Sequence, residues 1–228
     1  MKSGTSNKIF SSEELQRVYE VRFEGRLDYR NKIWTVLIRD YFQTYIRQED
    51  SVLDLGAGYG EFINHIACGK KFAMDLNPDT KHRVGADVEV FLRDCSEPWP
   101  LPDNSLDVVF TSNFFEHLPD NQVLARTLAE AKRCLKSGGC IIAMGPNITY
   151  AGKAYWDVID HQLALSEESL AEALRSQGFR IEECIARFLP FTMSEGLQYP
   201  TFFVATYLRL PLAWRIFGKQ FLVIGRKA

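Results

Sequence analysis

Three glycines at alternate positions interrupt a hydrophobic run near residue 50, and this feature constrains the fold more than any other. Residues 52–62 read VLDLGAGYGEF, so Gly56, Gly58 and Gly60 lie between an apolar run and a helical start. Glycine is needed where a strand turns sharply into a helix, because φ is positive there and a ligand approaches the backbone. The stretch therefore predicts a strand, a glycine loop and a helix that together bind a ligand.

The spacing of these glycines argues against a dinucleotide as the ligand. The fingerprint G-x-G-x-x-G would place a glycine at position 61, where this chain has Glu61. A pyrophosphate at that helix start would face a carboxylate, whereas a neutral or cationic ligand would not. A nicotinamide dehydrogenase is therefore disfavoured.

Three further apolar runs follow, and each ends at polar residues. They lie at residues 71–76, 88–92 and 106–111. The first reaches Asp75, the second precedes Asp94, and the third precedes the motif SNFFEHL. Open α/β sheets bind ligands at the carboxyl ends of their strands, and an acid at the tip of the second strand can accept both hydroxyls of a ribose.

In order and spacing, these motifs resemble the class I S-adenosylmethionine (SAM)-dependent methyltransferases, specifically their small type 11-like group. The resemblance covers about residues 45–228 and rests on five motifs: DLGAGYG, MDLNPD, DCSEPWPLPDNSLDVVF, SNFFEHL and EAKRCLKSGGCIIAMGPN. It implies an α/β fold, with a doubly wound, mostly parallel seven-stranded sheet of order 3-2-1-4-5-7-6 whose last strand is antiparallel. It also implies N-terminal helices that close over cofactor and substrate as a lid.

The resemblance implies a SAM site at the ends of the first four strands. Asp54 would hold the loop amides and the methionyl amine, Asp75 the ribose, and Asp94 the adenine amino group. The other cofactor contacts are expected from Gly56, Ala57, Gly58, Tyr59, Gly60, Leu76, Cys95, Ser112 and Asn113. The alternative interpretations of the three acids are a turn cap, a surface acid at a strand end, and a loop acid paired with Arg93 or solvent.

His117 and His161 are the candidate catalytic residues, because imidazole titrates near working pH and can act as a general base. His117 follows the fourth strand, and His161 follows YWDVID in the expected substrate-side loop. The alternatives are local hydrogen bonding for His117 and a turn cap for His161. Methyl transfer from SAM mainly requires positioning and exclusion of water, and the chain has neither G-x-S-x-G nor H-E-x-x-H.

Composition narrows the function further. The chain has 228 residues, 46% of them hydrophobic, which is enough for one sizeable α/β domain. The formal net charge is −2 and no long basic run occurs, so binding to nucleic acid is not indicated.

The five cysteines form no C-x-x-C pair, which fits reduced cytoplasmic thiols better than disulfides or a zinc site, and we expect no metal. Without an apolar stretch near the N-terminus, no signal peptide is predicted.

We expect residues 1–45 to form a helical lid and residues 46–228 to form the methyltransferase domain. Helices are predicted from Ser12, over residues 29–46, over residues 121–136 with a glycine C-cap at residues 137–139, and over residues 166–177. The last three strands are predicted at residues 140–144, 180–188 and 220–225. Tyr19, Arg22 and Arg26 are candidate lid residues, with a solvated helix face as the alternative.

Residues 199–217, YPTFFVATYLRLPLAWRIF, form an apolar, aromatic segment interrupted by Arg209, Pro211 and Arg215. The uninterrupted run is far shorter than the ~20 residues of a spanning helix. The segment is interpreted as a cap over an apolar acceptor pocket, a peripheral membrane contact with its cations at the headgroups, a homodimer interface, or ordinary core. We expect it to cover the acceptor side and to select an acceptor with an apolar portion.

These observations predict a SAM-dependent methyltransferase that acts on a small-molecule, sugar- or lipid-linked acceptor, at oxygen. Carbon or nitrogen methylation in a natural-product pathway remains open. A second alternative is a non-catalytic SAM-binding partner subunit, whose acceptor pocket would be sealed or absent.

Overall fold

The computed structural model describes residues 12–23, 25–190 and 198–228. In these residues seven strands form one sheet of order β3-β2-β1-β4-β5-β7-β6. The strands are β1 Ser51–Leu55, β2 Lys70–Asp75, β3 Val88–Leu92, β4 Leu106–Ser112, β5 Leu135–Pro146, β6 Phe179–Ile185 and β7 Gln220–Lys227. Only β7 runs antiparallel to its neighbours, and the predicted order and direction are confirmed.

Helices cover both faces of this sheet. Within the described residues they are α1 Ser12–Phe23, α2 Leu27–Asp40, α3 Glu61–His65, α4 Thr80–Arg83, α5 Asn121–Cys134, α6 Ile148–Ala151, α7 Glu167–Ser176, α8 Thr201–Leu208 and α9 Pro211–Phe217. Short 3-10 helices lie at Phe42–Tyr45, Phe115–His117 and Gly152–Tyr155. The predicted helix over residues 29–46 is therefore α2 followed by a separate 3-10 turn.

Strand β1 lies at the centre of the sheet and is buried along its whole length. It pairs in parallel with β2 and with β4, so that Asp54 lies beside Ala73 and Phe110. Continuous apolar strands of this kind are typical of parallel sheets covered on both faces. Because the strands are parallel, the ends of β1, β2 and β4 lie on one edge.

The core is divided by the sheet, since successive strand residues point to opposite faces. One face packs Leu53 and Val109 against α5 and α7, through residues such as Leu128 and Leu170. The other face packs Val52, Val108, Phe110 and Ile142 against α2 and α8, and this cluster includes Ile33, Leu37, Phe42 and Leu208. Helix α2 therefore shares a core with the sheet. That residues 1–45 close over the site as a lid stays a prediction.

The glycine C-cap expected after the helix at residues 121–136 is wrong. Helix α5 ends at Cys134, and Leu135 is already extended, with φ −66° and ψ 139°. Leu135 pairs with Leu106, and regular pairing resumes at Val108 and Cys140 after a register shift. The glycines therefore lie in an irregularity inside β5, a place where glycine eases a local kink, and not at a helix end.

Residues 199–217 fold into α8 and α9 with two different faces. Leu208 is buried, and Val204, Tyr207 and Trp214 pack against the core of the α2 side. The opposite face exposes large apolar side chains: Tyr199, Phe202, Phe203, Leu210, Leu212, Ile216 and Phe217. Among the described residues, no helix combines the length and apolarity that crossing a bilayer requires.

Paired substitutions in α9 test this orientation. The Trp214 ring lies 5.0 Å from that of Phe188, and its Nε1–H donates to the Tyr207 carbonyl at 2.8 Å. We expect Trp214→Ala to lower the free energy of unfolding by about 2–4 kcal/mol through lost packing. The exposed Phe217 on the same helix is the control. Phe217→Ala should change the free energy of unfolding by less than about 0.5 kcal/mol. Urea denaturation measures both, and equal effects would contradict the assigned orientation.

Candidate functional site

A cavity opens at the edge of the sheet where β1 and β4 end. One wall is the glycine loop after β1, and the opposite wall is formed by Ser112, Asn113 and the residues that follow. Helix α2 contributes Arg30 and Trp34. The cavity thus joins the segment predicted to bind cofactor and the segment predicted to face the acceptor.

The glycine loop has the backbone that the sequence predicted. Gly56, Gly58 and Gly60 have φ of 72°, 54° and 77°, in the left-handed region that other residues avoid. At Gly56 a side chain would also collide with the ring of Phe114. Phe114 follows Asn113, which itself has a positive φ of 50°, a conformation that asparagine tolerates.

Two buried side chains hold this loop from below. The Gly58 N–H donates to Asp75 Oδ2 at 2.7 Å, and Asn77 N–H donates to Oδ1 at 2.8 Å. The Thr80 hydroxyl donates to the Gly58 carbonyl at 2.7 Å. Burial raises the pKa of Asp75, although these backbone hydrogen bonds oppose the shift. Asp75 does not line the cavity; its contact with a ribose stays a prediction, which the remaining lone pairs of its oxygens allow.

The floor of the cavity beside the loop is acidic. Asp54 and Glu61 both line it and are both buried. Burial raises the pKa of Asp54 well above its usual range, and the charges of Glu61 and Asp75 add to the shift. Glu61 accepts a hydrogen bond from Arg30 Nε at 2.6 Å. The preference for a cationic ligand over a pyrophosphate, expected from Glu61, stays a prediction.

The opposite wall carries a second group of titratable side chains. Glu116 and His117 lie on the 3-10 helix after β4, and His161 lies in the loop before α7. The rings of the two histidines are 5.0 Å apart. Asp160 lies behind them and accepts from Arg22 at 2.6 Å. The structure therefore brings together the two histidines that the sequence identified separately.

Burial sets the charge of this group. It lowers the pKa of His117, although Asp160 opposes the shift, and it lowers the pKa of His161 to about 4, with the nearby His117 adding to the effect. Burial also raises the pKa of Glu116 to about 8, although a hydrogen bond from its own main chain opposes the shift. Both imidazoles are therefore neutral at neutral pH, and His161 is a weak proton acceptor.

The predicted cofactor residues do not all share the cavity. Asp54, Gly56, Ala57, Gly58, Tyr59, Ser112 and Asn113 line it. Leu76 and Asp94 line a separate surface depression, where Asp94 Oδ1 accepts from the main chain and hydroxyl of Ser96. Gly60 and Cys95 line neither; Gly60 precedes α3, and the buried Cys95 Sγ accepts from the Thr127 hydroxyl.

Sequence reasoning missed Glu116 as a cavity residue, although it lies one position before His117 in the motif SNFFEHL. It also assigned Trp34 to a helix without placing it at the site. Arg22, a candidate lid residue, does line the cavity, whereas the Tyr19 side chain lies outside the described residues. No residue of the segment 199–217 lines the cavity, so the structure gives no support to its interpretation as a cap.

Asp54→Asn tests the electrostatics of the floor. The pKa of this carboxyl is higher in the folded state than in the unfolded state, where it is about 3.9. Between these two values the unfolded state loses the proton first, so the free energy of unfolding falls as pH rises. Asparagine does not ionise, so we expect the variant to gain stability over the wild type across that window. Thermal unfolding of the ligand-free proteins between pH 4 and pH 8 measures the difference, and a constant difference would contradict the raised pKa.

Comparison with known proteins gives one matching family. Residues 53–143 match a family model described as "Methyltransferase domain". This region runs from β1 into β5 and contains the glycine loop, Asp75, Glu116 and His117. It does not include α2, His161 or the segment 199–217.

Two relatives show how far sequence similarity extends. A dimethylglycine N-methyltransferase of Parasynechococcus marenigrum is 32% identical over 110 residues, covering 43% of this chain and 38% of the relative. A probable S-adenosylmethionine-dependent methyltransferase of Mycolicibacterium smegmatis is 30% identical over 147 residues, covering 57% of this chain and 56% of the relative. The chain thus spans about half or less of the length of these relatives.

Similarity of fold extends over nearly the whole chain. The crystal structure of a SAM-dependent methyltransferase from Archaeoglobus fulgidus aligns with a TM-score of 0.66 at 24% identity, covering 92% of this chain and 99% of that one. This similarity shows the shared fold, and the family match over residues 53–143 supports the resemblance to SAM-dependent methyltransferases. The acceptor is not identified by any of these similarities.

Proposed function

We propose that the chain transfers the methyl group of SAM to an acceptor oxygen. Two findings support this: residues 53–143 match a methyltransferase domain, and the sheet has the strand order that the resemblance implies. The acceptor is a small-molecule, sugar- or lipid-linked hydroxyl compound. Its oxygen attacks the methyl carbon in line, and the carbon–sulfur bond breaks with its electron pair passing to sulfur. S-adenosylhomocysteine leaves, and the hydroxyl proton passes to solvent or to the cavity wall.

One observation carries this proposal: the glycine loop and the Glu116–His117–His161 wall line the same cavity. A sulfonium bound against the loop would therefore face polar side chains across an open space. A non-catalytic SAM-binding subunit would need no such space, and its acceptor side would be sealed. The open cavity favours catalysis over that alternative.

The cofactor placement follows from the charges along the edge of the sheet. SAM carries a sulfonium and an ammonium group, and Asp54 and Glu61 offer them an acidic floor. Asp75 lies directly under the loop, at the end of the neighbouring strand, where ribose hydroxyls would be accepted. Leu76 and Asp94 lie in the adjacent depression, and we assign the adenine to it.

The chemistry of the far wall favours oxygen. A hydroxyl must lose a proton as it is methylated, whereas an amine can attack through a free lone pair. A wall with one carboxyl and two imidazoles offers groups that bind and orient a hydroxyl. Nitrogen remains the alternative acceptor atom, because one relative is an N-methyltransferase.

Two substitutions and one control test the cofactor site by calorimetry with SAM. Asp75→Ala should weaken SAM binding by ~10–100-fold, because it removes hydrogen bonds to a charged acceptor and releases the Gly58 amide. Gly58→Val should abolish binding, because Gly58 lines the cavity and a valine side chain there would occupy the space of the ligand. Asp87, an exposed acid bound to Lys71, provides the control Asp87→Ala, which should bind SAM normally.

NADH serves as the competing ligand in the same titration. No heat of binding is expected with NADH, because its pyrophosphate would meet Glu61 at the start of α3. Tight binding of NADH together with absence of SAM binding would contradict the proposal and restore the dehydrogenase interpretation.

The acceptor is found by incubating the protein with methyl-labelled SAM and a host lysate, and by identifying the labelled product by mass. We expect the label on an oxygen atom. A product labelled on nitrogen or carbon would refute oxygen specificity while leaving methyl transfer intact. Normal SAM binding with no labelled product from any lysate fraction would favour the non-catalytic subunit.

The outer face of α8 and α9 supports peripheral contact with an anionic membrane, which would present lipid-linked acceptors. Phe203 and Leu212 are exposed there, beside the exposed cations Arg209 and Arg215, and such a combination suits a membrane surface. Phe203→Ser with Leu212→Ser should reduce co-sedimentation with phosphatidylserine-containing vesicles and leave SAM affinity unchanged. A loss of dimer mass by sedimentation, without any effect on vesicles, would assign the face to a second copy instead.

A further inference from the structure

Three side chains that commonly bind metals meet at the far wall of the cavity. One ligand atom each from Glu116, His117 and His161 lies within 4.8 Å of the other two. Glu116 Oε1 is 4.0 Å from Nε2 of both histidines. Two donors that each lie about 2.0–2.2 Å from one cation are at most about 4.4 Å apart. The carboxylate is therefore within reach of a cation held by either imidazole.

The second ring nitrogen of each histidine is already engaged. Nδ1 of His161 lies 2.7 Å from the carbonyl oxygen of Tyr155. Nδ1 of His117 lies 3.1 Å from the carbonyl oxygen of Asp160 and 3.3 Å from its carboxylate. These oxygens only accept, so a hydrogen on each Nδ1 would satisfy them and would place the lone pair on Nε2. Histidine ligands of protein-bound metals show this arrangement.

The Glu116 carboxyl is buried without an ion pair to a basic side chain. Its side chain is 3% exposed, and among the described residues no lysine or arginine nitrogen lies within 4.0 Å of it. Arg22 and Arg30 line the same cavity but are bound to Asp160 and Glu61. A buried carboxylate is costly unless a cation accompanies it. A cation bound beside Glu116 would balance this charge.

The main chain fixes the three side chains relative to one another. The N–H groups of Gln162 and Leu163 donate to the Glu116 carbonyl at 2.8 and 3.0 Å. The Gln162 side-chain amide donates to the His117 carbonyl at 3.2 Å. The loop that carries His161 is therefore anchored to the turn that carries the other two. Such support from the surrounding shell is what a preformed site requires.

We propose that Glu116, His117 and His161 form a binding site for a divalent transition-metal ion at the acceptor end of the cavity. Two imidazole nitrogens and one carboxylate oxygen suit Zn²⁺, Co²⁺, Fe²⁺ or Mn²⁺ better than the oxygen-preferring Mg²⁺ or Ca²⁺. Three protein ligands leave coordination positions open for water or for an acceptor oxygen. This site was not expected from the sequence, where no metal was predicted.

The catalytic role of the site rests on the proposed methyl transfer, whereas metal binding does not. A divalent cation lowers the pKa of an oxygen that it binds. The acceptor hydroxyl would then release its proton to solvent, and the resulting oxyanion would attack the methyl carbon while the carbon–sulfur bond breaks towards sulfur. The acceptor class that fits is a hydroxyl compound with a second neighbouring oxygen, which would chelate the ion.

Titration with Co²⁺ tests the site directly. The full chain, freed of metal with EDTA and then of the chelator, should bind one Co²⁺ ion by calorimetry, with visible d–d absorption. His161→Ala and the isosteric Glu116→Gln should each raise the Kd at least about 100-fold, since even supporting residues of metal sites are worth 10–100-fold. His82, an exposed histidine on α4, is the matched control, and His82→Ala should bind Co²⁺ like the wild type.

SAM calorimetry on the same variants separates the two proposals and confirms that the variants are folded. We expect His161→Ala and Glu116→Gln to bind SAM normally while losing Co²⁺. Normal SAM binding with no Co²⁺ bound to the wild type would overturn the metal site and leave the methyltransferase proposal intact. Co²⁺ binding that is lost in His82→Ala, or kept in Glu116→Gln and His161→Ala, would also overturn it. Co²⁺ binding as expected without SAM binding would instead overturn the proposed function.

Discussion

The site depends on how the backbone of Gly58 is held. Asp75 accepts its N–H and Thr80 donates to its carbonyl, both from buried positions under the loop. These contacts fix a left-handed turn at the centre of the cavity edge and connect the end of β1 to the end of β2. Asp75 thus shapes the loop before any ligand is present, and its loss would disturb the loop.

A second constraint acts across the cavity from the loop. The main-chain hydrogen bonds of Gln162 and Leu163 to Glu116 bring a distant loop to the end of β4. They place His161 beside His117, although 43 residues lie between them in the chain. One wall of the cavity therefore belongs to the matched domain of residues 53–143, and the other is completed by a segment beyond it.

The two walls also differ in electrostatic character. The floor beside the loop is acidic and contains Asp54, whose pKa burial raises well above its usual range. The far wall contains the neutral imidazoles of His117 and His161, and burial raises the pKa of Glu116 to about 8. This division is consistent with a sulfonium on one side and a metal-bound oxygen on the other.

Much of the fold followed from the sequence, because its signals are local. Alternate glycines after an apolar run predicted positive φ at Gly56, Gly58 and Gly60, and the ordered motifs implied a sheet order that the structure confirms. The glycines at residues 138 and 139 misled the same reasoning. Their role as an irregularity in β5 depends on the pairing of Leu135 with Leu106, which no local signal specifies.

From local residues the sequence by itself determined the need for glycine in the loop, and through its resemblance to a known family it implied the fold class and the cofactor. Only the tertiary structure decided which face of α9 is buried, that Asp75 supports the loop from below, and that Glu116, His117 and His161 converge. Convergence depends on main-chain hydrogen bonds between segments far apart in the chain. Spacing along the sequence carries no record of such contacts, and short-range metal motifs therefore could not find this cluster.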